Sequence, residues 1–339
     1  TFPTERKYAD KAFASSVAKV FLDECLKNGI TTSCVYCTVF PQSVDALFEE
    51  PQRHGLRMTA GKVMMNRNAP EYLLDTTQSS YDDSKALINK WHNRGRIMYA
   101  ITPRFAPTST PDQLQAAGEL WSEYPDCYMQ THVSENKGEI AWVKELFPER
   151  KGYLDVYDHH KLCRPRSVFG HGIHLTEEEL GTMHDTGSAI SHCPTSNFFL
   201  GSGYLDIHRA MRADRPVRVG LGTDLGAGTS FSILLTLNEA YKAAQLNRQK
   251  LTGAQGLYLA TRGTAHAMYI EDKVGSIAPG MEADIVVLDM KSTPIIDYRM
   301  QFVEDIHEAL FVQMTLGDDR AVQATYVAGK LQHERPSIH

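Results

Sequence analysis

The sequence predicts an α/β fold of repeated strand and helix units, of the (β/α)8 TIM-like barrel type, and three observations support that reading. Amphipathic stretches at helical spacing alternate with short β-rich runs that end in Gly, Pro, Asn or Asp. The alternation recurs with a regular spacing along most of the 339 residues, a length ample for one large α/β domain and a smaller appendage. No glycine fingerprint of a dinucleotide fold follows any of the strands, which favours a barrel over a doubly wound sheet.

Taken in order, strands are predicted at 30–39, 57–65, 96–103, 127–132, 167–171, 188–193 and 217–224. Helices are predicted between and after them at 15–28, 43–54, 79–94, 111–124, 138–147, 176–185, 204–213 and 231–246. Seven strands leave an eight-stranded barrel one short. The absent element is predicted to be the first strand, so that 30–39 and 217–224 form unpaired edges. After residue 273 the texture changes: "VGSIAPGMEADIVVLD" and "VQATYVAGKLQ" are turn-punctuated and β-branched. The organisation expected is therefore a barrel over 1–272, incomplete at its N-terminus, and over 273–339 the C-terminal strands of a small β-sandwich domain.

Bulk composition excludes several function classes. With 35 Lys and Arg against 41 Asp and Glu, the net charge is -6 and no basic block is present, so nucleic acid is a poor partner. No run of about 18 apolar residues suggests a membrane span, and "TFPTERKYADKAF" has no signal-peptide core, so a cytoplasmic protein without a membrane partner is expected. Six scattered cysteines read as thiols, and Cys34 and Cys37, a lone C-x-x-C in an apolar strand, as buried ones.

In a barrel of this kind the chemistry sits at the carboxyl ends of the strands. Those ends carry Arg104 and Phe105, then His132 with Glu135, then His171, then His192 and Asn197, then Asp224. A single histidine at a strand end is more often a structural group, but five consecutive strands ending in such residues shift the balance toward a site. Imidazole and carboxylate together can share a cation such as zinc, and a carboxyl group beside a reacting water can move protons. Glu135 has a structural alternative as a helix N-terminal carboxylate, and Asp224, in "GLGTDLGAG", one as a turn residue. His159, His160, His184 and His208 fall on or beside helices and are expected to be solvated.

"THVSENKGEIAWVK", "FGHGIHL", "SHCPTSNFFLGSG", "VGLGTD" and "VGSIAPGMEADIVVLD" together resemble the amidohydrolase superfamily. With "ITPRFAPTS" and "TLGDDR" the resemblance extends to its zinc-dependent guanine deaminases and covers essentially the whole chain. That resemblance implies that His132 and Asp224 bind one zinc ion per subunit. Glu135 would shuttle protons to the purine and the leaving ammonia, and His171 would orient the attacking water or the substrate. Arg104 would hydrogen-bond the purine carbonyl edge and Phe105 would pack on the base, with His132, Glu135 and Asp224 also touching it. The implied reaction is hydrolytic deamination of guanine to xanthine by a zinc-activated water, in a cytoplasmic homodimer serving purine catabolism. The alternatives are another heterocycle deaminase or chlorohydrolase of the superfamily, or a non-catalytic, truncated binding or scaffolding protein. None of the 14 histidines begins the H-x-E of the other zinc deaminase class. The family's H-x-H pair on its first strand, and a glutamine beyond it, have no counterpart in these residues. Thr1 is therefore expected to begin an incomplete chain with little activity of its own.

Overall fold

All seven expected strands are present. They are β1 (Thr32–Tyr36), β2 (Arg57–Gly61) with β3 (Val63–Met64), β4 (Ile97–Pro103), β5 (Tyr128–Val133), β6 (Ser167–His171), β7 (Ala189–His192) and β8 (Arg218–Leu221). The expected run at 57–65 is broken at Lys62. That side chain is wholly buried, its Nζ donates to Asp75 at 2.5 Å, and its backbone N–H donates to the Tyr99 hydroxyl at 3.2 Å instead of to a neighbouring strand. A buried ammonium needs its carboxylate, and the backbone is diverted to let the two meet.

The computed structural model describes residues 1–336, and these divide into two units. The first comprises Thr1–Asp23, Thr32–Gly170 and Leu175–Ser188. In it the parallel order is β1-β2-β4-β5-β6, with β3 added on β4. Burial follows this order: every β1 residue is only half-buried, whereas six of the seven in β4 are buried, as an edge strand and an inner strand require. The expected helices of this unit are found at Lys11–Lys27, Pro41–His54, Thr77–Trp91, Pro111–Glu123, Lys137–Leu146 and Glu177–Thr186. A further helix, Tyr153–His159, was not expected.

The second unit holds Glu24–Thr31, His171–His174 and the chain from Ala189 onward. Here β7 and β8 pair in parallel, and β9 (Ile285–Leu288), β10 (Val322–Val327) and β11 (Lys330–Glu334) form an antiparallel sheet in the order β11-β10-β9. The Thr325 hydroxyl ties that sheet to the carbonyl of Leu26 at 2.7 Å. Ile233–Leu246 is helical as expected, while only Ile207–Ala210 of the 204–213 stretch is. Two helices, Pro294–Met300 and Ile306–Leu316, interrupt the region read as strands alone, each opened by a side-chain cap, Thr293 and Asp305. The last three residues assigned to the small domain, 337–339, lie outside the described residues. Among the described residues no helix is long and apolar enough to cross a membrane.

Two expectations about side chains are corrected. His160 is buried, not solvated: its carbonyl packs on Gly118, where a Cβ would lie 2.1 Å away, and burial pushes its imidazole down to about 4. Cys34 and Cys37 are half-buried, not buried, because they sit on the edge strand and just past it; the Cys34 thiol donates to Gln130 Oε1 at 3.1 Å.

Candidate active site

In the first unit the loop after β4 is tied to the end of β5 by a side chain of that strand. His132 Nδ1 lies 2.6 Å from the carbonyl oxygen of Arg104. A carbonyl only accepts, so Nδ1 carries the proton and Nε2 is the ring's lone-pair nitrogen, the tautomer of a histidine oriented for a cation. The ring packs against Tyr36 at 4.7 Å and Phe105 at 6.4 Å between centroids. Phe105 in turn meets Trp142 edge-on at 6.4 Å.

Past β5 the chain turns through Ser134 in the left-handed region, φ 48°. The helix that follows is capped by Asn136, with Glu139 completing a reciprocal capping box. Glu135 therefore precedes the cap, and the capping alternative weighed for it belongs to its neighbours. Glu139 is buried and accepts from the backbone N–H groups of Glu135 at 3.1 Å and Asn136 at 3.4 Å, and from the Tyr153 hydroxyl at 2.5 Å. Burial raises its carboxyl pKa, and these donors hold it down.

Arg104 has a partner that sequence reasoning missed. Its Nη1 donates to both carboxylate oxygens of Glu5, each at 2.9 Å, and its guanidinium lies 5.6 Å from the centre of the Phe2 ring. A separation of 99 residues leaves no local signal for that pair.

In the second unit His171 and Asp224 are both left-handed, φ 70° and 48°. Such backbone costs of order 1–3 kcal/mol for a side-chain-bearing residue, and it concentrates at functional sites. His171 Nε2 stands 3.9 Å from Asp224 Oδ2, and His171 Nδ1 is 2.8 Å from the amide nitrogen of Asn197. Burial lowers the His171 pKa and the Asp224 carboxylate pulls it the other way. Asn197 lies on the helix Pro194–Leu200, which starts directly after β7 with proline in its first turn. The turn alternative for Asp224 is also realised: its carbonyl accepts from Gly228 N–H at 2.6 Å and Ala227 N–H at 3.2 Å. The backbone turn and the side-chain approach to His171 coexist in one residue.

His192, at the end of β7, is wholly buried, and neither ring nitrogen has a hydrogen-bond partner among the described residues. Burial, reinforced by repulsion from His171, pushes its imidazole down to about 3, so it is neutral at ordinary pH. Among the described residues a single group of metal-type side chains brings three donors within 4.8 Å of one another, and it lies away from these histidines: His92, Asp126 and Cys127. It does not suit a cation. His92 Nδ1 accepts the Tyr99 N–H at 3.1 Å, which places the ring proton on Nε2, 3.0 Å from Asp126.

The amidohydrolase family model matches residues 2–331. Guanine deaminase from Escherichia coli strain K12 is 51% identical over 335 residues, 99% of this chain and 76% of that protein. A solved structure of E. coli guanine deaminase matches with a TM-score of 0.97, covering 99% of this chain and 78% of that one. Guanine deaminase from C. acetobutylicum, solved with guanine bound in its active site, shares 29% identity at a TM-score of 0.88, covering 98% of this chain and 78% of that one. An adenosine deaminase from Xanthomonas campestris solved with bound zinc shares 23%, with a TM-score of 0.82 over 95% of this chain and 70% of that one, a likeness of fold.

Proposed function

Because this chain belongs to the amidohydrolase family, we propose that it catalyses the hydrolytic deamination of guanine to xanthine and ammonia. The observation that carries this reading is its likeness to a guanine deaminase along 99% of its length. The chain's own side chains support it, since histidine, carboxylate and arginine occupy the strand ends where such chemistry is done.

His132 and Asp224 would hold a zinc ion, one per subunit. The donor types fit: His132 offers Nε2 because Nδ1–H is given to Arg104 O, and Asp224 offers a half-buried carboxylate. When bound, zinc brings the pKa of water close to neutrality and so makes a nucleophile available. Glu135 passes protons to the purine ring and to the departing ammonia. Asp224 accepts a proton from the water, and His171 orients water or substrate. Water adds to the carbon that bears the exocyclic amine, and the carbon–nitrogen bond to that amine then breaks. Arg104 donates to the carbonyl edge while Phe105 packs on the base. Glu5 keeps the Arg104 guanidinium in place by accepting from its Nη1 with both carboxylate oxygens.

The reading extends to purine catabolism in the cytoplasm, to a homodimer, and to a division at 272/273 between catalytic barrel and small β domain. The antiparallel sheet β9–β11, all of it beyond residue 273, supports that division.

Guanine conversion is tested on the full-length, zinc-loaded protein by xanthine absorbance and ammonia release. Failure to turn over guanine, with turnover of a larger or halogenated heterocycle, would overturn the assignment. Zinc retention tests the ligand set. His132 and Asp224 are two donors where a zinc that also carries water uses three protein ligands, so the 339 residues alone are expected to lose zinc on dialysis. One tightly held zinc per 339-residue chain would show a further donor within it.

A further inference from the structure

The hydroxyl of Tyr157, on the unexpected helix Tyr153–His159, is a three-way node in the first unit. It accepts the backbone N–H of Ala106 at 2.8 Å and the Thr131 hydroxyl at 3.2 Å, and donates to the carbonyl of His132 at 2.8 Å. One side of this node is the loop that presents Arg104 and Phe105, and the other is the end of β5. Tyr153, stacked on Tyr157 with centroids 5.7 Å apart, donates from the same helix to Glu139, which takes the N–H groups of Glu135 and Asn136. Asn136 is exposed, every other residue in this web is buried or half-buried, and Glu139 and the two tyrosines have no part in the proton transfers of the mechanism above. One short helix thus fastens the backbone on both sides of His132.

We propose that Tyr157 and Glu139 are positioning residues, fixing the spacing between the guanine-contacting loop at Arg104 and Phe105 and the segment that carries His132 and Glu135. The proposal rests on the guanine-deaminating reading of those residues. A displacement of about 1 Å at reacting groups costs on the order of a hundredfold in rate, so a brace of backbone hydrogen bonds is sufficient to matter.

The test compares Tyr157→Phe with Tyr99→Phe in the full-length, zinc-loaded protein. Tyr99 is equally buried, and its hydroxyl takes the Lys62 N–H, a bond outside the site. Steady-state kinetics on guanine are normalised to zinc content and folded fraction, and amide hydrogen exchange is followed at 104–106 and 133–136. Tyr157→Phe is expected to raise KM and lower kcat, reducing kcat/KM tenfold to a hundredfold, and to speed exchange at those amides at least tenfold. Tyr99→Phe is expected to stay within twofold on both. Unchanged exchange in Tyr157→Phe, or equal kinetic losses in the two variants, overturns the proposal. If the unsubstituted protein does not consume guanine but exchange responds as stated, the guanine reading falls and the brace stands. Should Tyr157→Phe not fold, Glu139→Ala and Glu139→Gln ask the same question. The glutamine keeps an accepting oxygen and should hold the Glu135 and Asn136 amides near their parental exchange rates, the alanine should release them, and equal behaviour overturns the proposal.

Discussion

At the ends of β4 and β5 the candidate residues are held by hydrogen bonds to backbone: His132 to Arg104 O, Glu135 N–H to Glu139, and Tyr157 to both loops. At the ends of β6, β7 and β8 burial and backbone strain do most of the work. His171 and Asp224 are left-handed, and His192 is buried with no hydrogen-bond partner among the described residues. The first region fixes direction, setting tautomers and aiming side chains. The second tunes charge, lowering the pKa of two imidazoles by desolvation and holding His192 neutral. Acid–base chemistry on a purine needs both, and the two regions should fail differently when perturbed.

The largest effect is expected from Glu135→Gln in the first region. The amide preserves shape but cannot carry the proton, so guanine turnover in the full-length protein should fall roughly a hundredfold to ten-thousandfold with zinc retained. Turnover near the parental rate would remove Glu135 as the proton carrier and leave the backbone web holding a bystander.

The second region should reveal itself through acid stability. His192 titrates near 3 in the folded protein against about 6.5 in an unfolded chain, so the unfolded state binds more protons between those values. Its contribution is complete above pH about 6.5 and is lost as pH falls toward 3, on the order of 5 kcal/mol in all. His192→Leu should therefore flatten the decline, moving the acid-unfolding midpoint followed by circular dichroism to lower pH. An unmoved midpoint would mean that carboxylates, not buried imidazoles, set the acid limb.

The two regions also differed in how far the sequence disclosed them. The strand order was legible because hydrophobic period and turn residues are local properties, and the break at Lys62 was hidden because it depends on Asp75 and Tyr99. His132, Glu135, His171 and Asp224 stood out as polar residues at strand ends. What those positions do not disclose is burial: His160 was expected in solvent and is covered, while Cys34 was expected in the core and lies on an edge strand. Glu139 was invisible for a different reason. It reads as an ordinary helix carboxylate until Tyr153 and the capped backbone surround it.

Returning to the first region, Arg104→Ala should raise KM for guanine and spare kcat more. A hydrogen bond to a charged donor is worth about 1.5–3 kcal/mol. Adenine lacks the carbonyl that Arg104 would address, so preference for guanine over adenine should fall by a similar factor. Unchanged guanine kinetics would assign specificity to some other group.

The smallest effect should come from the group behind that arginine. Glu5 accepts twice from Arg104 Nη1, and both side chains are largely covered, 24% and 15% exposed, so the pair is ordered without being deeply buried. Glu5→Gln keeps one accepting oxygen and removes the charge. Ion pairs of this kind are typically worth up to about 1 kcal/mol, which corresponds to at most about a fivefold rise in KM. The informative measurement is the double substitution. If Glu5 acts only by aiming the guanidinium, Glu5→Gln adds nothing in an Arg104→Ala background, because the side chain it aims is gone. The same rise in both backgrounds would show that Glu5 acts through something other than Arg104, and the control of direction attributed to the first region would then have to reside elsewhere in its hydrogen-bond web.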